Sequence, residues 1–219
     1  MQNNNNEIPK VYANERYVLH YNKNGSKPLF VICFNPTTFA TIFTEKNDKK
    51  FQELCSKDKD LKSKVEEKRN AGICDGVVLD NTLKKIIKRS KEYDSFIFFN
   101  LIPRRSDNKK ELEKAGNIEK NAEEIKNYIA SYRTKCESVD ILCAWGNILD
   151  NKAYREKAIE SCIKIYESIK EFNCNYKRLK RKRLDTDKKH PLHPAYYNGP
   201  FDFIRFDIKN YVKNVLRSI

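Results

Sequence analysis

The chain has 219 residues, enough for one ordinary domain that buries its own core without disulfide or metal staples. Its 44 Lys and Arg against 30 Asp and Glu give a net charge of +14, which points to a polyanionic partner, nucleic acid before acidic small molecules. Seven scattered cysteines, with no C-x-x-C pair and no secretory start, read as reduced thiols of a cytoplasmic protein. The longest apolar runs fall far short of the ~20 residues that span a bilayer, so no membrane role is expected.

Residues 1–15 read as a disordered or extended N-terminal tail and residues 16–219 as a single α/β domain. Arg16-Tyr17-Val18-Leu19-His20-Tyr21 alternates like a half-buried strand, and Lys23-Asn24-Gly25-Ser26 supplies a turn, so a hairpin with the next strand is expected. That next strand, Leu29-Phe30-Val31-Ile32-Cys33-Phe34, is continuously apolar, as a strand covered on both faces must be. Charged segments at residues 48–70 and 80–91 carry apolar residues at helical spacing. Two more buried-strand patterns, residues 95–100 and 139–144, flank a helix at 118–133. A long amphipathic segment at 151–171 precedes the basic run Tyr176-Lys177-Arg178-Leu179-Lys180-Arg181-Lys182-Arg183. A last helix is expected to carry Phe203, Phe206, Ile208, Tyr211 and Val215. The alternation predicts a three-layer α/β/α sandwich around a mostly parallel sheet.

In such sheets ligands bind beyond the carboxyl ends of the strands. Three strand ends carry polar residues of interest. Asn35-Pro36-Thr37-Thr38 reads as a helix start, with Asn35 as cap and free backbone N–H groups facing a cleft. Asn100, ending its strand, offers donor and acceptor from one amide and can read a base edge, while Arg104 and Arg105 can meet phosphate. Ala144-Trp145-Gly146-Asn147 sets the single Trp beside a Gly that allows close backbone approach. Downstream, His190-Pro191-Leu192-His193-Pro194-Ala195-Tyr196-Tyr197 places imidazoles on a Pro-stiffened loop. No carboxylate or cysteine cluster completes a ligand set around them, so no metal is expected.

These blocks resemble an uncharacterised bacterial and phage family with the motifs R-Y-x-L, N-P-S-T-A, D-x-T, N-L-x-x-x-R-A-T, G-x-x-x-x-N, A-W-G and H-P-L. The matching residues are Arg16-Tyr17-Val18-Leu19, Asn35 to Ala40, Asp80-Asn81-Thr82, Asn100-Leu101 through Arg105-Ser106, Gly116 with Asn121, Ala144-Trp145-Gly146 and His193-Pro194-Ala195. That pattern in turn resembles the uracil-DNA-glycosylase superfamily, in its mismatch-specific and single-strand-selective branches. The resemblance implies a uracil-DNA-glycosylase-like fold and a monofunctional DNA glycosylase that flips a damaged or modified base and leaves an abasic site. Asn35 would position the attacking water, His193 would stabilise the leaving base, and Phe34, Thr37, Phe39 and Asn100 would line the base pocket. Arg104, Arg105, Lys177, Arg178, Lys180, Arg181, Tyr196 and Tyr197 would contact DNA. No cofactor is implied, and no obligatory protein partner is evident. A family spread among phages and bacteria extends the expectation to a bulky modified cytosine of phage DNA and a role in antiviral defence.

Two departures bear on the substrate. Thr37 stands where those branches have Gly, and Ala195 where they have Ser, so uracil is not assumed. No carboxylate neighbours Asn35 in sequence, which implies a modest rate; Asp80 and Asp107 are the candidates to supply one. Two other readings stand beside the glycosylase: a non-catalytic module that binds nucleic acid or a nucleotide, and a hydrolase of free nucleosides or nucleotides.

Overall fold

A computed structural model describes residues 11–12, 15–16, 18–21, 25–35, 41–42, 77–78, 81–104, 115–134, 136–148, 154–180, 190–196 and 201–217. Ten strands are described: β1 (Val11–Tyr12), β2 (Glu15–Arg16), β3 (Leu19–Tyr21), β4 (Pro28–Cys33), β5 (Thr41–Ile42), β6 (Val77–Val78), β7 (Ser95–Asn100), β8 (Val139–Cys143), β9 (Cys174–Leu179) and β10 (Phe203–Arg205). The helices among the described residues are α1 (Asn81–Arg89), α2 (Ile118–Arg133), α3 (Arg155–Ile169) and α4 (Ile208–Leu216). Six strands form one sheet in the order β10-β9-β8-β4-β7-β3, while β1 pairs with β2 and β5 with β6.

The sheet is mixed rather than mostly parallel. Its four inner strands run parallel, and both edge strands join antiparallel. The physical reason lies in length and burial. The inner runs β4, β7 and β8 are apolar on both faces, as parallel strands need, whereas β3 and β10 are three-residue strands that close the edges.

Along β4, Phe30 and Ile32 point into one core and Leu29, Val31 and Cys33 into the other. The first core is closed by Ile125 and Ile129 of α2, Ile159 and Ile165 of α3, and Tyr211 and Val215 of α4. The second is closed by Leu83 and Ile86 of α1 and by Phe201. Among the described residues no helix is long and apolar enough to cross a membrane.

Two local expectations are corrected. No hairpin joins β3 to β4: β3 pairs with β7, because β7 is buried at all six positions and takes a neighbour on each edge. The expected last helix is split, since Phe203 and Phe206 belong to opposite cores. Phe203 lies in β10, and only after Asp207 accepts the Asn210 N–H at 2.9 Å does α4 begin. The expected tail, residues 1–15, contains β1 and the first residue of β2. The segment 48–70 lies outside the described residues.

Asp94 fixes the start of the central pair. Its carboxylate accepts the backbone N–H groups of Lys27 at 2.6 Å and Ser26 at 3.1 Å, setting Pro28 opposite Ser95. A Cβ on Gly25 would stand 2.7 Å from Asp94 Oδ1, so only Gly fits this turn.

Candidate active site

Because β4, β7 and β8 are parallel neighbours, their carboxyl ends share one edge of the sheet, about 4.8 Å apart strand to strand. Backbone hydrogen bonds continue past the strands and hold the three exits together. Leu101 N–H donates to Cys33 O at 2.8 Å, Ile102 N–H to Phe34 O at 2.9 Å, and Ala144 N–H to Ile32 O at 2.9 Å. Asn35, Asn100 and Trp145-Gly146 thereby lie at one edge of the sheet.

Asn35 is half-buried just beyond β4. Phe34 beside it packs on Tyr154, ring centres 4.7 Å apart, so one side of the ring is covered by the protein itself. Thr37 and Phe39 lie outside the described residues, as do Asp80 and Asp107.

Asn100 is wholly buried at the end of β7, opposite Cys33. The turn that follows is clamped from two helices. Asn121 of α2, also wholly buried, donates its amide Nδ2–H to Asn100 O at 2.7 Å and to Leu101 O at 3.3 Å. Ser161 of α3 donates its hydroxyl to the same Leu101 carbonyl. Asn121 stands in the G-x-x-x-x-N block without a role legible from sequence, and Ser161 carries no signal at all, being one Ser in an amphipathic run. Arg104 is half-buried beyond this turn, and its Nε is buried with no hydrogen-bond partner among the described residues. Arg105 lies outside the described residues.

The third exit meets the downstream loop. Gly146 takes φ +82°, and a Cβ there would stand 3.3 Å from the Cβ of His193. The Trp145–Gly146 turn and the H-P loop, 47 positions apart, are therefore in direct contact. Two contacts brace the loop. His190 Nδ1 lies 3.4 Å from the hydroxyl of Tyr211, which also accepts from Trp145 Nε1 at 3.4 Å. Lys85 of α1 donates to the Ala195 carbonyl at 3.1 Å, beside the 3₁₀ turn Pro194–Tyr196. Burial pushes the Tyr211 phenol well above its ordinary value, so it stays protonated and able to donate.

Ala195 N–H donates to His193 Nδ1 at 3.3 Å. With Nδ1 accepting, the proton of the neutral ring sits on Nε2, which makes that nitrogen the donor the ring can offer. Tyr196 enters the 3₁₀ turn, and Tyr197 lies outside the described residues.

The described part of the basic run, residues 176–180, is not uniformly exposed. Cys174–Leu179 forms β9, with β8 on one side and β10 on the other. Lys177 Nζ donates to Asp140 Oδ2 at 2.8 Å and Tyr93 Oη at 2.7 Å, and Arg178 is 8% exposed. Arg178 is thus buried, and the half-buried Lys177 is held by Asp140 and Tyr93. Lys180 is exposed, its backbone N–H donating to Asp202 O at 2.8 Å; Arg181 lies outside the described residues.

The profile of the family described as Protein of unknown function (DUF1643) matches residues 68–195, more than half of the chain. The chain belongs to the DUF1643 family. The DUF1643 span holds the exits of β7 and β8, Asn121 and the His193 loop. No curated protein and no solved structure matches the chain.

Proposed function

We propose that the protein is a monofunctional DNA glycosylase on a uracil-DNA-glycosylase-like, three-layer α/β/α fold. The observation that supports the reading is the close approach of His193 Cβ to Gly146, just beyond β8, at the edge where the neighbouring strands β4 and β7 also end. Asn35 holds the water that attacks the sugar carbon, Asn100 recognises the extruded base, and the N-glycosidic bond breaks with its electron pair leaving on the base, which ends by taking up, through solvent, the proton the water loses. His193 Nε2–H then donates to that developing anion. One such donor is worth about 10²–10³ in rate. The net charge of +14 suits a phosphate-rich substrate.

The test incubates the full chain with DNAs carrying uracil, deaminated, alkylated or glucosylated bases, the last being the modified cytosines of phages, and then cleaves abasic sites with alkali. Cleavage of one substrate by wild type, lost at least 100-fold in Asn35→Ala and His193→Ala, supports the proposal. No cleavage of any substrate, or equal cleavage by Asn35→Ala, overturns it. Retention of DNA without base release would instead favour the binding module, and release from mononucleotides alone the nucleoside or nucleotide hydrolase.

A further inference from the structure

Away from that edge, the sheet carries a concave surface. A groove of about 1070 Å³ runs between the end of α3, the first half of β9 and the corner where β10 enters α4. It lies at the amino ends of the parallel strands, about 20 Å along the six-residue β9 from the edge that holds Asn35. Half-buried rings of Tyr166, Phe172 and Tyr176 line it. Lys170, Arg205 and Lys209 stand exposed around them.

The charge there is unbalanced. Lys170 pairs with Glu167, but Arg205 and Lys209 have no ion pair among the described residues. The acid in the lining, Asp207, caps α4 by accepting the Asn210 N–H. A site that offers apolar ring surface and cations together fits a ligand with flat apolar faces and regularly spaced negative charge. Duplex DNA presents the charge and hides the faces in its stack, whereas a single strand presents both.

We propose that this groove binds single-stranded nucleic acid, the rings of Tyr166, Phe172 and Tyr176 receiving bases while Arg205 and Lys209 neutralise about two phosphates. The inference goes beyond the glycosylase reading and does not depend on it, since no residue of the groove belongs to the Asn35 site.

The test follows fluorescence anisotropy of a labelled twelve-nucleotide oligothymidylate with the full chain across a salt series. Arg205→Glu combined with Lys209→Glu is expected to weaken binding about tenfold or more, and to flatten the slope of log affinity against log salt by about 0.7 per lost contact. Phe172→Ala is expected to weaken binding with the slope unchanged; Phe172→Leu keeps the apolar volume if the alanine variant does not fold. Failure of wild type to bind the oligomer, equal displacement by duplex of the same length, or an equal loss on reversing exposed Lys91 and Lys126 would each overturn the inference.

Discussion

Gly146 is the residue on which the proposed site depends most directly. Its φ of +82° lies in the left-handed region, which costs a residue with a Cβ about 1–2 kcal/mol. The added methyl would also press on the Cβ of His193. Gly146→Ala is therefore expected to lose about 1–2 kcal/mol in urea denaturation. The proposed base release should fall further than that loss explains, because the His193 loop must shift. Equal stability of the variant and wild type would show that the backbone relaxes at no cost.

Asn121 acts at the same scale from behind the site. Truncation to Ala leaves the Asn100 and Leu101 carbonyls without their buried amide donor, which costs about 1–3 kcal/mol. Ser161→Ala should cost less, since Asn121 still serves the Leu101 carbonyl. Thermal or urea melts of the two variants check the order; the reverse ranking would mean that Ser161 is the main clamp.

At the scale of elements, β8, β9 and the turn before β7 are joined by one polar cluster. Burial of Asp140 by itself raises its pKa, but hydrogen bonds from Lys177, Tyr93 and Asn175, with the Lys177 charge, outweigh it and hold the carboxyl below its ordinary value. A carboxyl depressed in the folded state stabilises the fold above its unfolded pKa of about 4, and that contribution is lost as pH falls through the lower, folded pKa. Urea midpoints taken between pH 7 and pH 2.5 should therefore drop for wild type, and drop less for Asp140→Asn. At neutral pH Asp140→Asn should be the weaker protein, because Lys177 keeps its charge without the opposing carboxylate. A pH profile identical in the two proteins would assign the acid sensitivity elsewhere.

Over the whole molecule, the inner strands β4, β7 and β8 and the helices α1, α2 and α3 were legible because their signals are local. The run Ser95-Phe96-Ile97-Phe98-Phe99-Asn100 admits no exposed face, and the helical spacing over residues 118–133 coincides with α2. Strand partners were not legible. The turn Lys23-Asn24-Gly25-Ser26 suggests a hairpin, yet the chain continues past it until β7 fills the place between β3 and β4. The basic run misled for a related reason: residue type reports charge but not neighbours, so Lys177 looks like a phosphate contact until Asp140 and Tyr93 are brought to it.

The candidate site divides in the same way. Sequence by itself determined its raw materials: amides at two strand ends, a Trp-Gly turn and a His-Pro loop, each readable because composition at the end of an apolar run is a local property. Only the tertiary structure decided that His193 comes close to Gly146, that Asn121 and Ser161 clamp the Asn100 turn, and that Lys177 of β9 meets Asp140 while Arg178 is buried. Contacts between residues tens of positions apart follow from strand order and helix packing, and those are properties of the assembled sheet rather than of any segment within it.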